Sequence, residues 1–537
     1  MKLREISWAF QMLWGYKLNI SINFLLETTA IVSSLAFVFL TKLAIDRSLV
    51  HADHQILDLF VWISISLFLG ITLKTIATYR NENLKQKFLS HVQYKLINAQ
   101  MDTDWKTMRQ WQSGDIQYRI QQDAEDMATL LIQTIPETLL MTIRLVASFV
   151  FIWHLDPNFA YTLLALFPLL LFSRIYFQKL RSLHQTVKEE EGNLGNLLHE
   201  NLKFRSLISA MNLSQHRKRT IYTMLQELLS LKNRQSRYMM FTTIGLRFAV
   251  NSGYLLTFFW GVLGLMKGKL SFGTVTAFIQ LISKVQSPAL SLLALAPRII
   301  RSKVSMNRVK SLMDIETEAI PPSIELVAIE KIELQQISFG YETSHILANF
   351  SATFKRNKAT AILGASGKGK TTLFRLLLGQ LEPEQGKILL KSSSQTSRLT
   401  NAHRVNFAYV PQGNTLFNGS ILDNLSPNNL DPGSVNLRHA LQIACAEFVY
   451  ELPAGLHTIV GENGYALSEG QAQRIAVARA ILQQKQIMLF DEVTSALDML
   501  TSKQLIHNLK EFGKNRICIY VTHDKYLASI CQQQIHI

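Results

Sequence analysis

The sequence predicts a multi-domain membrane protein: an all-α transmembrane domain of six helices followed by an α/β domain of soluble character. Three observations predict it. Long apolar runs crowd the first 300 positions and then stop, basic residues collect between alternate runs, and strands and helices of ordinary length alternate after about residue 330. At 537 residues the chain exceeds a single hydrophobic core.

The first element, "MKLREISWAFQMLWGYKLN", sets Trp8, Phe10, Leu13 and Trp14 among charges and has no small-residue cleavage site. It reads as an interfacial helix, not a signal peptide. No peptidase region precedes the first apolar run, so leader cleavage by this chain is not expected.

Six apolar runs follow, at about 20–44, 58–79, 137–154, 158–177, 240–266 and 273–298. Each is near the roughly 20 residues that cross a bilayer as a helix. The segments 80–136 and 179–238 are rich in Lys and Arg, whereas the intervening loops carry only Arg47, Lys267 and Lys269. Positive-inside counting therefore places both long loops, the N-terminus and the C-terminal domain in the cytoplasm. Lys+Arg 55 against Asp+Glu 39 gives +16, which this reading assigns to membrane topology, with no nucleic-acid partner. The long loops continue the spans as cytoplasmic helices, with a break expected at Ser113-Gly114-Asp115. Glu27, Arg144, Arg247 and Asn251 fall inside spans, where charge and amide are costly. They are expected to face a cavity or one another; pairing for structure explains them as well as substrate contact does.

At "DIETEAIPPSIEL" acidic residues and Pro321-Pro322 replace the apolar runs, which ends the helix. The division expected is a transmembrane domain over 1–315, a linker over 316–330 and the α/β domain over 331–537. Cys445, Cys518 and Cys531 all lie in the last part, an odd number with no CxxC, so neither disulfides nor zinc are expected there.

The α/β domain opens its chemistry with "TAILGASGKGKTTLF". Thr360 to Leu363 reads as a buried strand, and Gly364, Gly369, Lys370 and Thr371 fit G-x-x-x-x-G-K-[ST] before an apolar helix. Glycines let successive backbone N–H groups turn toward nucleotide phosphates. Lys370 reaches the outer phosphates, Thr371 can ligate Mg²⁺, and the helix N-terminus adds its dipole. Lys368 adds positive charge within the loop or is simply solvated. About 120 residues on, "QIMLFDE" is an apolar strand ending in Asp491, which suits a Mg²⁺ shell, and Glu492, which could polarise a water. In "LSEGQAQR", Ser468 and Gln471 form an S-x-x-Q capping box at the start of a helix.

These motifs together closely resemble the ATP-binding cassette (ABC) transporters of exporter type, over nearly the whole chain. The set comprises "GASGKGKT", "YVPQ" ending at Gln412, "LSEGQ", "LFDE", "SALD" ending at Asp498 and "VTHD" with His523. "TIVGENG" looks like the loop that precedes the signature in exporters. The resemblance implies a half-transporter that dimerises, with itself or a related chain, and exports a substrate at the expense of ATP. It implies ATP held by Tyr341 on adenine, by Gly364, Ala365, Ser366, Gly367, Lys368, Gly369, Lys370, Thr371 and Thr372, and across the dimer by Ser468, Gly470 and Gln471. Mg²⁺ would be held by Thr371, Gln412 and Asp491, with Glu492 as base, Gln412 sensing metal and water, and His523 on the γ-phosphate. Asp498 would link the two sites, and the loop ends near Gly114–Asp115 and Glu200–Ser206 would couple the domains. The implied location is a bacterial-type cytoplasmic (inner) membrane, multi-pass, with the ATPase in the cytoplasm and lipid around the spans. Two departures stand out: Glu469 where the family has Gly, and only "DKYLASICQQQIHI" after His523, enough for one more strand. A membrane-tethered ATPase that regulates or gates is the alternative from another class, and the substrate class stays open among lipid, peptide, drug and glycolipid.

Overall fold

A computed structural model describes residues 8, 11–49, 53–109, 111, 113–166, 173–315, 317–318, 321–341, 344–365, 367–425, 434–461 and 467–537. The chain forms two compact units, one of Met1–Gln100 with Gln112–Ile315, the other of Met101–Trp111 with Glu316–Ile537.

The first unit is helical: α1 (Lys17–Ser48), α2 (Asp53–Met101), α3 (Ile135–Leu155), α4 (Pro157–Leu166), α5 (Ser173–Lys203), α6 (Ser214–Met266) and α7 (Phe272–Met313). Among the described residues three helices are long and apolar enough to cross a membrane, Gln11–Ser48, Ile56–Met101 and Gly114–Leu155. The expected spans at 240–266 and 273–298 fall within α6 and α7, while 158–177 includes residues 167–172, outside those described. At 49 residues, α2 is about 74 Å long, more than twice a bilayer core of about 30 Å. Its polar half still has a core stripe. Leu84, Phe88, Val92 and Leu96 recur every fourth residue and bury against Met127, Leu131, Met306 and Val309. Trp8 and Leu13 pack against the same cluster, and Trp14 is exposed with Lys17 over its ring.

The helical break differs from expectation. The chain leaves α2 at Met101, makes one short helical turn at Trp105–Met108 and is helical again through Ser113-Gly114-Asp115, so the break precedes those residues. Two π-type segments, Arg119–Asp123 and Thr129–Thr134, interrupt the approach to α3. There the buried Asp123 pairs with Arg308 Nε at 3.3 Å, and Asp115 accepts from Arg119 Nε at 2.9 Å. Arg247 and Asn251 lie exposed on α6, four residues apart and so on one face of that helix.

The second unit holds two main sheets. β1 (Ile329–Tyr341), β2 (Ser344–Lys355), β4 (Gln385–Ser392) and β5 (Thr396–Arg398) form an antiparallel sheet in the order β2-β1-β4-β5. β3 (Thr360–Leu363), β6 (Phe407–Val410), β9 (Ile487–Asp491), β10 (Ile517–Val521) and β11 (Gln533–His536) form a parallel sheet in the order β11-β3-β10-β9-β6. The last strand expected after His523 is β11. β9 and β10 are buried along their full length, as continuous apolar runs require in a parallel sheet covered on both faces. Helices α8 (Lys370–Leu377), α9 (Ile421–Leu425), α10 (Val435–Ile443), α11 (Glu469–Leu482), α12 (Met499–Phe512) and α13 (Lys525–Ile530) complete the unit, with the two-stranded β7 (Gly419–Ser420) and β8 (Ile459–Val460). The cysteines are free thiols, and burial pushes Cys518 up to about 12 and Cys531 to about 11, so both act as small apolar groups.

Candidate functional site

Four neighbouring parallel strands bring separate motifs to one edge. β3 ends at Leu363 and leads through the glycine-rich loop to Lys370. β10 ends at Val521, two residues before His523; β9 ends at Asp491, followed by Glu492; β6 ends at Val410, two residues before Gln412. The carboxyl end of such a sheet is where open α/β folds place their ligand crevice.

Lys370 is the first residue of α8 and is buried. Its Nζ donates to the carbonyls of Gly364 at 2.8 Å and Ala365 at 3.2 Å and lies 3.0 Å from His523 Nε2. An ammonium has no acceptor, so His523 Nε2 accepts and the ring proton sits on Nδ1. Glu492 joins the same cluster: Gln412 Nε2 donates to its Oε2 at 2.8 Å, and His523 Nε2 lies 3.5 Å from its Oε1. The Glu492 backbone is left-handed at φ 51, a conformation costly outside glycine. It is held there by its own N–H on Val521 O at 2.9 Å and by Gln473 Nε2 and Ser495 Oγ on its carbonyl, at 2.8 and 2.9 Å. Gln473 is buried, and sequence reasoning missed it; its only signal is a polar residue on the inward face of an otherwise apolar helix.

Asp491 is buried at the end of β9, with the hydroxyls of Thr371 and Tyr409 directed at it. Burial, and then the charge of Glu492, push its carboxyl up to about 6. A buried carboxylate with a threonine hydroxyl beside it is a set of hard oxygen donors and fits Mg²⁺. The loop fits phosphates. Gly367 and Gly369 have φ of 81 and 98, and a Cβ on Gly369 would lie 2.4 Å from Ile346 Cγ2. Gly369→Ala is therefore expected to cost roughly 1–3 kcal/mol through backbone strain alone, read as a lower melting temperature of the full-length protein. Lys368 is exposed, and Ser366 lies outside the described residues.

Tyr341 stands apart from this cluster. Its hydroxyl is 3.5 Å from Thr372 Oγ1 and 3.4 Å from Arg375 Nη1. Its ring meets Trp105 at 5.9 Å between centroids, and Arg109 sits over it at 4.8 Å. Both come from the segment Met101–Trp111, which belongs to this unit. Thr103 bridges Thr317 in strand fashion, and Glu318 N–H donates to Asp102 O at 2.6 Å. The loop end packed on the α/β unit is thus 101–111 and not Gly114–Asp115, whose Asp115 is engaged within the helical unit. Glu200, in the other expected coupling region, pairs with Arg217 at 3.1 Å. A lone aromatic in a polar stretch gave no sequence signal for Trp105.

Ser468 caps α11 as its S-x-x-Q pattern predicts: its Oγ accepts from Gln471 N–H at 3.2 Å, and Gln471 Oε1 accepts from Ser468 N–H at 2.9 Å. Ser468 and Glu469 are exposed, whereas Gly470 is buried, with room for no Cβ against Ala496 O at 2.5 Å. Asp498 caps α12, accepting from Leu500 and Thr501 N–H at 3.0 Å each. Of "TIVGENG", residues 462–464 lie outside the described residues.

Comparison with known proteins gives a consistent answer. The family model for the ABC transporter transmembrane region matches residues 20–289, and that for ABC transporter matches 347–495. The chain is 26% identical over 500 residues to an ATP-dependent lipid A-core flippase of Desulfotalea psychrophila, covering 90% of this chain and 86% of that one. It is 34% identical over 287 residues to the pediocin PA-1 transport/processing ATP-binding protein PedD of Pediococcus acidilactici, covering 51% of this chain and 39% of that one. A bacterial Atm1-family ABC exporter solved with ATP bound superposes with a TM-score of 0.77 at 22% identity, covering 97% of this chain and 93% of that one.

Proposed function

This chain belongs to the ABC transporter family, as an exporter with transmembrane and ATP-binding regions fused in one polypeptide, and we propose that two copies form an ATP-driven pump. The observation that carries this reading is the meeting of Lys370, Gln412, Asp491, Glu492 and His523 at one edge of the parallel sheet. The glycine-rich loop from Gly364 to Thr372, with Tyr341, would hold ATP, and Thr371, Gln412 and Asp491 would hold Mg²⁺. ATP supplies the phosphoanhydride to be cleaved, and the metal neutralises charge on its phosphates. The domains proposed are 1–315, a linker over 316–330, and 331–537.

The chain's own groups then have definite tasks. Lys370 exchanges its bonds to Gly364 O and Ala365 O for phosphate oxygens. That exchange releases His523 Nε2 from Lys370, which leaves the ring placed to hydrogen-bond the γ-phosphate. Gln412 holds a water against Glu492, whose carboxylate accepts the water's proton. Ser468, Gly470 and Gln471 complete the site of a second copy, with Asp498 between the two; one such domain per chain makes the dimer necessary. The membrane is proposed as a bacterial-type cytoplasmic membrane, with the ATPase on the cytoplasmic side. The test is ATP hydrolysis by purified, lipid-reconstituted protein against a panel of lipids, peptides, drugs and glycolipids. Stimulation by a compound that also accumulates inside the vesicles is expected. Hydrolysis that no compound alters, with no accumulation, would leave a gating ATPase as the better reading.

Glu469 gives a separate prediction. Its carboxylate is exposed in the first turn of α11, where the helix dipole favours it. A screened exposed charge contributes about 0.6 kcal/mol at most, and glycine would weaken the helix start. Glu469→Gly should therefore change the ATP half-saturation by less than about threefold, measured at low and high salt. A tenfold, salt-sensitive shift would mean that this Glu tunes the neighbouring site.

A further inference from the structure

The helical unit contains a cavity of about 550 Å³ whose wall gathers Lys74, Arg144 and Lys284. They come from three helices, α2, α3 and α7, and each falls within a segment read as membrane-spanning. Ser34 on α1 accepts a hydrogen bond from Lys284 Nζ, closing the site from a fourth helix. Arg144 and Lys74 both act electrostatically on Lys284, so three like charges share one small volume. Their counterweight is Glu27, which interacts with Arg144 and, less strongly, with Lys74. Among the described residues no carboxylate comes within ion-pair distance of any of the three cations.

Like charges at bilayer depth are expensive, and a fold that only needed packing would not bring three together. A cavity of this size is typical of a site for one small ligand or headgroup. Its remaining wall is mixed: Phe37, Leu67 and Ile71 are apolar, whereas Ser283 and Ser287 add hydroxyls beside Lys284. An anion with several oxygens would take charge-assisted bonds from the three cations, and an attached chain would lie on the apolar wall. We propose that this cavity binds the phosphate-type headgroup of an anionic amphiphile, and that such a molecule is the transported substrate class. The second clause rests on the exporter reading above; the first does not.

The experiment is direct binding to full-length protein in nanodiscs of neutral phosphatidylcholine, without ATP. The probes are lysophosphatidic acid, lysophosphatidylcholine and inorganic phosphate. Lysophosphatidic acid is expected to bind at least tenfold tighter than lysophosphatidylcholine. Lys284→Gln and Arg144→Gln should each weaken it about tenfold and leave the zwitterionic probe unchanged, while Lys284→Arg retains affinity and so controls for folding. Equal binding of the two lysolipids, or unaltered affinity in both glutamine variants, overturns the site. Full competition by inorganic phosphate at the concentration of the lysolipid overturns the amphiphile and leaves a free anion. Cation-dependent binding of lysophosphatidic acid that neither stimulates hydrolysis nor leads to its transport would overturn the substrate-class clause and keep the site, whereas hydrolysis that no compound on the panel alters would overturn the pump reading itself.

Discussion

Glu492→Gln is expected to abolish ATP turnover while ATP still binds. The amide matches the carboxylate in size but cannot accept a proton, and positioned general bases contribute about 10²–10⁴-fold. The surroundings make this substitution clean. The backbone of Glu492 is fixed by Val521, Gln473 and Ser495, none of which touches its carboxylate, so the left-handed turn survives the change. Gln412 can still donate to the remaining oxygen. The measurement pairs steady-state hydrolysis with equilibrium binding of ATP, and the variant should retain nucleotide and a closed dimer. Hydrolysis within a few-fold of the parent would remove Glu492 from the role of base. Gln473→Leu is a useful companion. It deletes the amide that holds the Glu492 carbonyl, and should lower turnover without altering ATP affinity, because it acts through position alone.

How much of this was legible in the sequence depends on how local each signal is. The glycine loop was legible because its conformation is fixed by residue type: Gly367 and Gly369 take positive φ, and Lys370 opens the helix that follows. The S-x-x-Q box at Ser468 was legible for the same reason, since both of its hydrogen bonds span only three residues. The strand ending in Asp491 was readable as an apolar run, but not its neighbours in the sheet. Placing β9 between β10 and β6 is what sets His523 and Gln412 beside Glu492, and those pairings span 31 and 80 residues or more. The loop 101–111 shows the limit most clearly. Periodicity marked a helix through "NENLKQKFLSHVQYKLINAQ" and a break after it, yet no local pattern says that Trp105 and Arg109 will cover Tyr341. Lys74, Arg144 and Lys284 were similarly scattered through three spans. A single basic residue within an apolar run names no partner until helix packing puts it against two more cations.

Lys370→Ala is expected to weaken nucleotide binding itself. Lys370 is the cation that the loop fixes at the mouth of α8, and a charge-assisted hydrogen bond to phosphate contributes about 1.5–3 kcal/mol. The loss is therefore roughly 10- to 150-fold in ATP affinity, since each 1.4 kcal/mol is about tenfold. Two features of the loop bear on the outcome. Lys370 is already bonded to Gly364 O, Ala365 O and His523, so binding ATP exchanges partners and does not rescue a bare charge. The observed loss should then sit toward the lower end of that range. Alanine also removes the donor that keeps His523 Nε2 an acceptor, which leaves the histidine free to turn toward Glu492, 3.5 Å away. The variant should thus lose turnover even at saturating ATP, and the double variant Lys370→Ala, His523→Ala should cost less than the sum of the two single changes. Direct binding of ATP to the detergent-solubilised dimer, alongside hydrolysis at saturation, checks both parts. Unchanged affinity would mean that the ammonium does not reach the phosphates, and strict additivity would mean that the Lys370–His523 contact carries no coupling between binding and chemistry.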